Sequence, residues 1–519
     1  MATISNFEIL PEEITLHVFQ YLSCADIIYG FYNLNTRFNS TITYFCHSMN
    51  LIGVTYKQFD CILSNILPQI SSNIRSFVVN GNWASFISNK LHATRFELTL
   101  SSMFPNLYSL ILECFIDTDL IIFLKEIRDL KYLVKLDIKR LTGRCSSELL
   151  KNILTANNGR LKSVLFDQDS IFLSLKTNDK NIICSNIEEL TLNLIDCDML
   201  GDLLKLIPNV RRLRISFGQS PGISTTTLMN VSPLIQLKDF ELHSYGMFWE
   251  FSNIVDILSK MPSLHRLTLD LYTDDERLAN GQNLVIVLPL SLVEIQLFIL
   301  YYFSESPIKT DSLLATWPKH IPVSCWLNEP DQYTIIHTIP YNVHSILIPT
   351  AIATMMQFTE AVDLHLPRLK RLHVEGKCEL LRLLKAAPRL YDLSIDFNCF
   401  NTIIDNESIY ELLQQRIVCL EIFRLRDIHT LRLDVILKRF THIRHLVLSV
   451  QDSTIFIDSP ISQAGDMSKE EKRIYVCIKG PLSEKAKKAL HKWLIDHSHT
   501  QINDAFAIDY QNEWIHFWV

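Results

Sequence analysis

The sequence predicts an α/β solenoid: a small helical module at the N-terminus, an array of about 13–15 strand-helix units, and a C-terminal cap. Three observations carry that prediction. The chain has 519 residues, more than one hydrophobic core of roughly 250–300 residues accommodates. A short apolar phrase recurs thirteen times, mostly at intervals of about 26 residues. The first 45 residues and those after 450 lack it. The expected divisions are therefore a helical module over 5–45, a linker with a first irregular repeat over 46–100, repeats over 101–450 and a cap over 451–519.

Composition narrows the function classes before any motif is read. A hydrophobic content of 48% with 20% charged residues belongs to a globular chain. The formal net charge of −7 supplies no broad basic field, so no nucleic-acid partner is expected. Glycines number only 13 and none stand in a G-x-G pair, so neither a dinucleotide fingerprint nor a P-loop can be written. H-E-x-x-H and G-x-S-x-G do not occur; the chain is expected not to be an enzyme and to hold no cofactor. The 12 cysteines are scattered without C-x-x-C, which points to buried thiols in a reducing compartment and to no metal site. The start, MATISNFEIL, lacks the basic end and apolar run of a signal peptide, so the expected location is cytoplasmic, nuclear or both. One apolar stretch, 284–303, has membrane length but carries Pro289, Glu294 and Gln296 near its middle. Strand is the better reading there, and no membrane association is expected.

Residues 10–42, LPEEITLHVFQYLSCADIIYGFYNLNTRFNSTI, read as three short helices. Pro11 sits early in the first, where its missing N–H is harmless. Ile14, Val18, Phe19 and Leu22 follow at helical spacing. Ser23 breaks the pattern, Asp26 precedes a second helix through Ile27, Ile28 and Phe31, and Leu34, Asn35, Arg37 and Phe38 begin a third. So small a bundle cannot bury its own stripes, which must be covered by another chain or by the first repeats. The order of features resembles the F-box: Leu-Pro, then VFQYL, ADII and LNTRFN, with Phe38 where Trp is usual and one extra residue before Leu34. That resemblance implies docking to the Skp-type adaptor of a cullin-based SCF ubiquitin ligase complex. It makes Leu10, Pro11, Ile14, Val18, Phe19, Leu22, Ile27 and Leu34 the contact or supporting positions.

The recurring phrase is apolar, two variable residues, apolar, one variable residue, apolar. It appears from Leu107 (LYSLIL), Leu133, Leu161, Ile187, Val210, Leu237, Leu264, Leu292, Val343, Leu369, Leu390, Leu420 (LEIFRL) and Ile443, with a poorer copy from Ile74. Alternate residues of a strand face opposite sides, so the later apolar positions turn to a shared core. Runs with helical spacing lie between phrases, over 119–130, 146–156, 252–261, 379–387 and 407–416. Pro after the helix hands several of them over to the strand, as in MPSLHRL and APRLYDL. The pattern resembles the leucine-rich repeat, in its longer type with a full helix per unit. The Asn or Cys usual just past the last leucine is mostly missing; Asn398, Cys399, Cys114 and Cys378 come nearest. Residues 303–342 fall in a 51-residue interval, hold five of the 18 prolines, and read as a distorted repeat with a long loop.

The variable third, fifth and seventh positions point away from the core. Cations there include Arg212, Arg214, Arg266, Arg371, Arg424 and Arg426, with His373 beside them, opposed by acids such as Glu189, Asp239, Glu241, Asp392 and Asp396. Mixed sign suits a protein target bound on this face rather than a polyanion. After 450, RIYVCIKG reads as a strand, LSEKAKKALHKWLIDH as a helix and AFAIDYQNEWIHFWV as a hairpin turning near Gln511 and Asn512, a cap for the open end.

Overall fold

The computed structural model describes residues 10–51, 54, 56–81, 99–143, 148–175, 183–218, 228–303, 310–328, 332–339, 345–348, 369–374, 380–404, 406–425, 436, 440, 442–443, 445–450, 475–480, 509–511 and 514–518. The chain divides into two compact units, one of residues 1–327 with 332–338 and one of 328–331 with 339–519. The array of strand-helix units makes it an α/β solenoid.

The first unit opens with three helices, α1 (Glu12–Phe19), α2 (Cys24–Phe31) and α3 (Thr36–Phe45). Their boundaries are set by side chains that satisfy the orphan N–H groups of a helix start. Ser23 caps α2 by accepting from the Asp26 N–H at 3.0 Å, which places Asp26 inside the first turn. Asn35 caps α3 by accepting from the Phe38 N–H at 2.9 Å. Between them Asn33 takes the left-handed conformation that ends a helix, with φ 67°. A further helix, α4 (Tyr56–Cys61), runs through a π-turn over Ile62–Ile66 into Leu67–Ile70. Pro68 has no N–H to continue the α-helical ladder, and the wide turn precedes it.

Ten parallel strands follow: β1 (Ser48–Asn50), β2 (Ser76–Asn80), β3 (Ser109–Glu113), β4 (Lys135–Lys139), β5 (Ser163–Phe166), β6 (Glu189–Leu194), β7 (Arg212–Phe217), β8 (Asp239–Phe248), β9 (Arg266–Thr273) and β10 (Glu294–Tyr302). Each phrase supplies one strand, and equal phrase positions pair across the ladder, as Ser109 with Lys135 and Arg212 with Asp239. The apolar positions are buried, as Leu107, Leu110 and Leu112 or Val210, Leu213 and Ile215. Each such side chain contributes roughly 1.5–3 kcal/mol. The strand β1 belongs to a unit that the phrase search misses, CHSMNL from Cys46, because Cys46 and Met49 stand where leucine is sought. It begins directly after α3.

Backbone at the strand entrances is tied by the residue just before the phrase. Asn106, Asn186 and Asn209 donate side-chain N–H groups to the carbonyls of Ser72, Gly159 and Ser185 at 2.7, 2.7 and 2.9 Å, and the Ser291 hydroxyl donates to Pro262 at 3.1 Å. Each acceptor lies two residues before a neighbouring phrase. Asparagine thus works at this entrance, and also past the last leucine at buried Asn193, which donates to the Asp167 and Ser170 carbonyls, both at 2.9 Å. Cys114 and Arg140, at the first position beyond β3 and β4, are left-handed, with φ 56° and 51°.

The 51-residue interval contains β11 (Val323–Asn328) and β12 (Tyr333–Thr338), and β12 runs antiparallel to β10. The apolar stretch 284–303 divides into the end of a helix, Gly281–Val287, and β10. Among the described residues no helix is long and apolar enough to cross a membrane. Gly281 opens its helix against buried Trp317, where an added Cβ would stand 2.6–2.8 Å from the indole and from Trp317 Cα. Gly281→Ala is expected to cost about 1–3 kcal/mol. Exposed Gly30 in α2 has nothing within 4 Å of its Cβ position, and Gly30→Ala is expected to stabilise by about 0.5–1 kcal/mol. Thermal melts of the two variants should move in opposite directions.

The second unit carries β13 (Ser345–Ile348), β14 (Arg371–Val374), β15 (Asp392–Asp396), β16 (Cys419–Leu425), β17 (His445–Val450) and β18 (Tyr475–Lys479), all parallel, then a hairpin of β19 (Asp509–Gln511) and β20 (Trp514–Trp518) with β20 antiparallel to β18. Here the phrase assignment from Leu420 needs correcting. Leu393 pairs with Leu420 and Leu420 with Leu446, so Leu420 is the second apolar position of a phrase that starts at Ile417. The intervals from Leu390 and to Ile443 become 27 and 26 residues in place of 30 and 23. Arg424 then falls at the second position beyond the phrase, as Cys114 and Arg140 do, and its φ of 57° matches theirs. The helix expected over 482–497 lies outside the described residues.

Candidate interaction surfaces

The helical module separates its apolar residues into two groups. Phe19 and Ile27 are fully buried, with Ile28 and Phe38 beside them, and the Phe19 ring packs on Phe31 at 5.3 Å. From there they can only support a contact, never make one. Leu10 and Val18 are half-buried. Pro11 is exposed, and so are Ile14 at 47%, Leu22 at 38% and Leu34 at 51%, although each of the last three could have been covered by the first repeats. Tyr21 and Tyr29, at 78% and 38%, join this exposed set and carry no motif that singles them out in the sequence. The module is held to the following helix by polar contacts, Gln58 to Asp26 at 3.2 Å and the Tyr32 hydroxyl to Gln69 at 2.9 Å.

On the outward face of the first sheet, sign alternation has a local cause. Parallel pairing in register puts equal phrase positions side by side, where like charges repel and opposite charges attract. Arg212 meets Glu189 at 3.3 Å, Arg266 meets Asp239 at 2.6 Å and Arg214 meets Glu241 at 3.4 Å. All three arginines thus stand on the predicted face with an acid already beside them. His243, at a seventh position that the repeat pattern turns away from the core, is instead buried, with Nε2 3.6 Å from Glu241 and Nδ1 3.5 Å from Asp270. Arg266→Glu would set two carboxylates against each other at a cost of about 0.5–1 kcal/mol. In urea unfolding Arg266→Gln should cost less, because it adds no repulsion towards Asp239 and Glu294, which pair with residue 266 on either side.

The second unit repeats the arrangement. Arg371 pairs with Asp392 at 3.1 Å, and Arg424 lies 3.8 Å from Asp396 with its guanidinium 5.6 Å from the Phe423 ring. His373 stacks on Phe423 at 4.5 Å and hydrogen-bonds through Nδ1 to the Ser394 hydroxyl at 2.8 Å; that hydroxyl donates to Glu421 at 2.7 Å. The three polar residues share the fifth position of neighbouring phrases once β16 is registered from Ile417. Glu421 is absent from the residues singled out by sequence because the Leu420 assignment turns it out of that row, and Ser394, in the row from Leu390, carries no charge to single it out. Arg426 lies outside the described residues.

The chemistry of these groups is limited. Ser394 gives its one proton to Glu421, so His373 Nδ1 must be the donor to Ser394; a hydrolase relay needs histidine to accept from the serine instead. Asp196, Cys197 and Asp198 bring potential metal-ligand atoms within 4.8 Å of one another. Asp196 already accepts from the Asp198 N–H at 2.9 Å, and burial, ahead of the two flanking carboxylates, pushes the Cys197 thiol up to about 12, where it is a poor ligand.

No protein-family model matches the chain, and no curated protein matches it. Among solved structures, a leucine-rich-repeat protein of Leptospira interrogans is similar at 14% identity, over 86% of this chain and 98% of its own, with a TM-score of 0.21. A likeness at that score bears on neither shape nor function.

Proposed function

We propose that the chain is a non-catalytic substrate receptor of an SCF-type ubiquitin ligase. In this reading α1 to α3 dock to a Skp-type adaptor linked to a cullin, and the outward strand face holds a target protein in the cytosol or nucleus. The observation that carries it is the exposure of Ile14, Leu22 and Leu34 on a small helical module whose core residues are already buried. Exposed aliphatic side chains cost solubility, and a partner that covers them offsets that cost. The paired charges on the strand face favour a target that contacts both signs at once, since a one-signed ligand would have to displace the acids from Arg212, Arg266 and Arg371.

A second reading, a scaffold in which the helices only close the end of the array, is favoured by a different observation: β1 starts directly after α3, and Asp26 and Tyr32 hydrogen-bond to Gln58 and Gln69 beyond it. Co-purification of the full chain with a Skp-type adaptor separates the two. A stable complex supports the receptor; its absence with well-folded protein leaves the scaffold.

A further inference from the structure

The edge of the first sheet at which the strands begin carries charge that the helical module and the outward strand face leave unused. The second phrase position lies there, one residue before each strand, in a row from Arg75 beside β2 to Val293 beside β10. From Arg75 to His265 each carbonyl of the row accepts two N–H groups of the next repeat, as Glu188 does from Arg211 at 2.7 Å and Arg212 at 3.0 Å. The row is therefore continuous, and with its backbone satisfied it offers a partner side chains only. Those side chains are largely of one sign on a chain whose net charge is −7: Arg75, Lys162, Arg211 and Lys238 are exposed, against one acid, Glu188. Lys162 and Arg211 share that acid, at 2.9 and 4.0 Å, so one carboxylate serves two cations. Among the described residues the turns leading into the row add Arg128, Lys131, Arg160 and Lys260 against Asp129. A helix end favours cations in its last turn, but the row itself lies past the helices, where that preference fades. Towards β10 the charge gives way to exposed Ile235, Leu290 and Val293.

We propose that this edge docks an extended acidic segment of a partner protein, its carboxylates along Lys162, Arg211 and Lys238 and its aliphatic end on Ile235, Leu290 and Val293. Charge complementarity selects the acidic part, and the exposed aliphatic side chains fix which end of the segment lies beside β10. From Lys162 to Val293 is five strand steps, about 24 Å at roughly 4.8 Å per strand, a length that about seven extended residues span. A nucleic-acid strand fits less well. Its uniformly charged phosphates would meet Glu188 in mid-row, and aliphatic side chains give its bases no ring to stack on. The proposal goes beyond target binding on the outward strand face and does not rest on the ubiquitin-ligase reading, since a scaffold would use the edge equally.

The test titrates the full-length protein into a fluorescent glutamate-rich peptide of about twelve residues that ends in leucines, long enough for the row, and reads anisotropy at low and at moderate salt. A scrambled isomer and a labelled oligouridine are run beside it. The block peptide is expected to bind more tightly than its isomer, and less tightly as salt rises. Arg211→Gln with Lys238→Gln should weaken it about tenfold, whereas Arg277→Gln, beyond the far ends of the strands, should bind as wild type does. Leu290→Ser with Val293→Ser should erase the preference for the block peptide over its isomer. All these side chains are exposed, and a parental thermal melt certifies each variant as folded. No binding of the block peptide, equal binding of its isomer, unchanged binding by the Arg211 and Lys238 variant, or tighter binding of the oligouridine overturns the proposal.

Discussion

A chain carrying Ile14→Ser and Leu34→Ser will lose the Skp-type adaptor in co-purification while melting as the parent does. Both side chains are about half exposed, so their removal takes little from the folded state, and surface changes of this kind stay within about 0.5 kcal/mol. Covered by a partner, each would contribute on the order of 1–2 kcal/mol. Losing both weakens binding by roughly a hundredfold at a tenfold change per 1.4 kcal/mol. Unchanged binding by the folded double variant would sink the docking reading, since Ile14 and Leu34 are the most exposed aliphatic side chains of the motif, ahead of Leu22. Wild-type protein that never binds the adaptor would shift the conclusion to the scaffold.

Phe19→Ala will behave differently although its residue stands in the same motif. The ring is fully buried against Phe31, and emptying such a site costs about 3–5 kcal/mol. Stability and adaptor binding should fall together, with the first loss visible in a thermal melt without any partner. A folded Phe19→Ala protein of parental melting temperature that fails to bind would mean that the ring leaves the core to meet the adaptor. The pair of experiments thus separates contact from support, which the motif alone joins.

The strands were readable because a strand of this array is buried on one side and must repeat its apolar positions; Leu107, Leu133 and Val210 announce their units without help. Where other side chains serve the same purpose the signal fades. Cys46 and Met49 fill the apolar sites of β1 as fully as leucine does, yet no search for leucines finds them. The apolar run from Ile417 to Leu425 admits two phrasings three residues apart, since isoleucine, leucine and phenylalanine crowd every candidate position. Only pairing with β15 and β17 chooses between them.

The surfaces show the same division. Spacing placed Ile14, Val18, Phe19 and Leu22 on helical faces, but which face meets solvent depends on what packs behind it, and α2 and α3 occupy that side. The list of cations and acids on the strand face was likewise legible, whereas their pairing was not. Parallel register sets residues more than twenty positions apart in the chain within salt-bridge distance, as Arg212 with Glu189 and Arg371 with Asp392. Periodicity in one dimension fixes the repeat and its apolar positions; burial and charge partners arise only when distant segments are brought side by side, because those interactions depend on distance in space rather than along the chain.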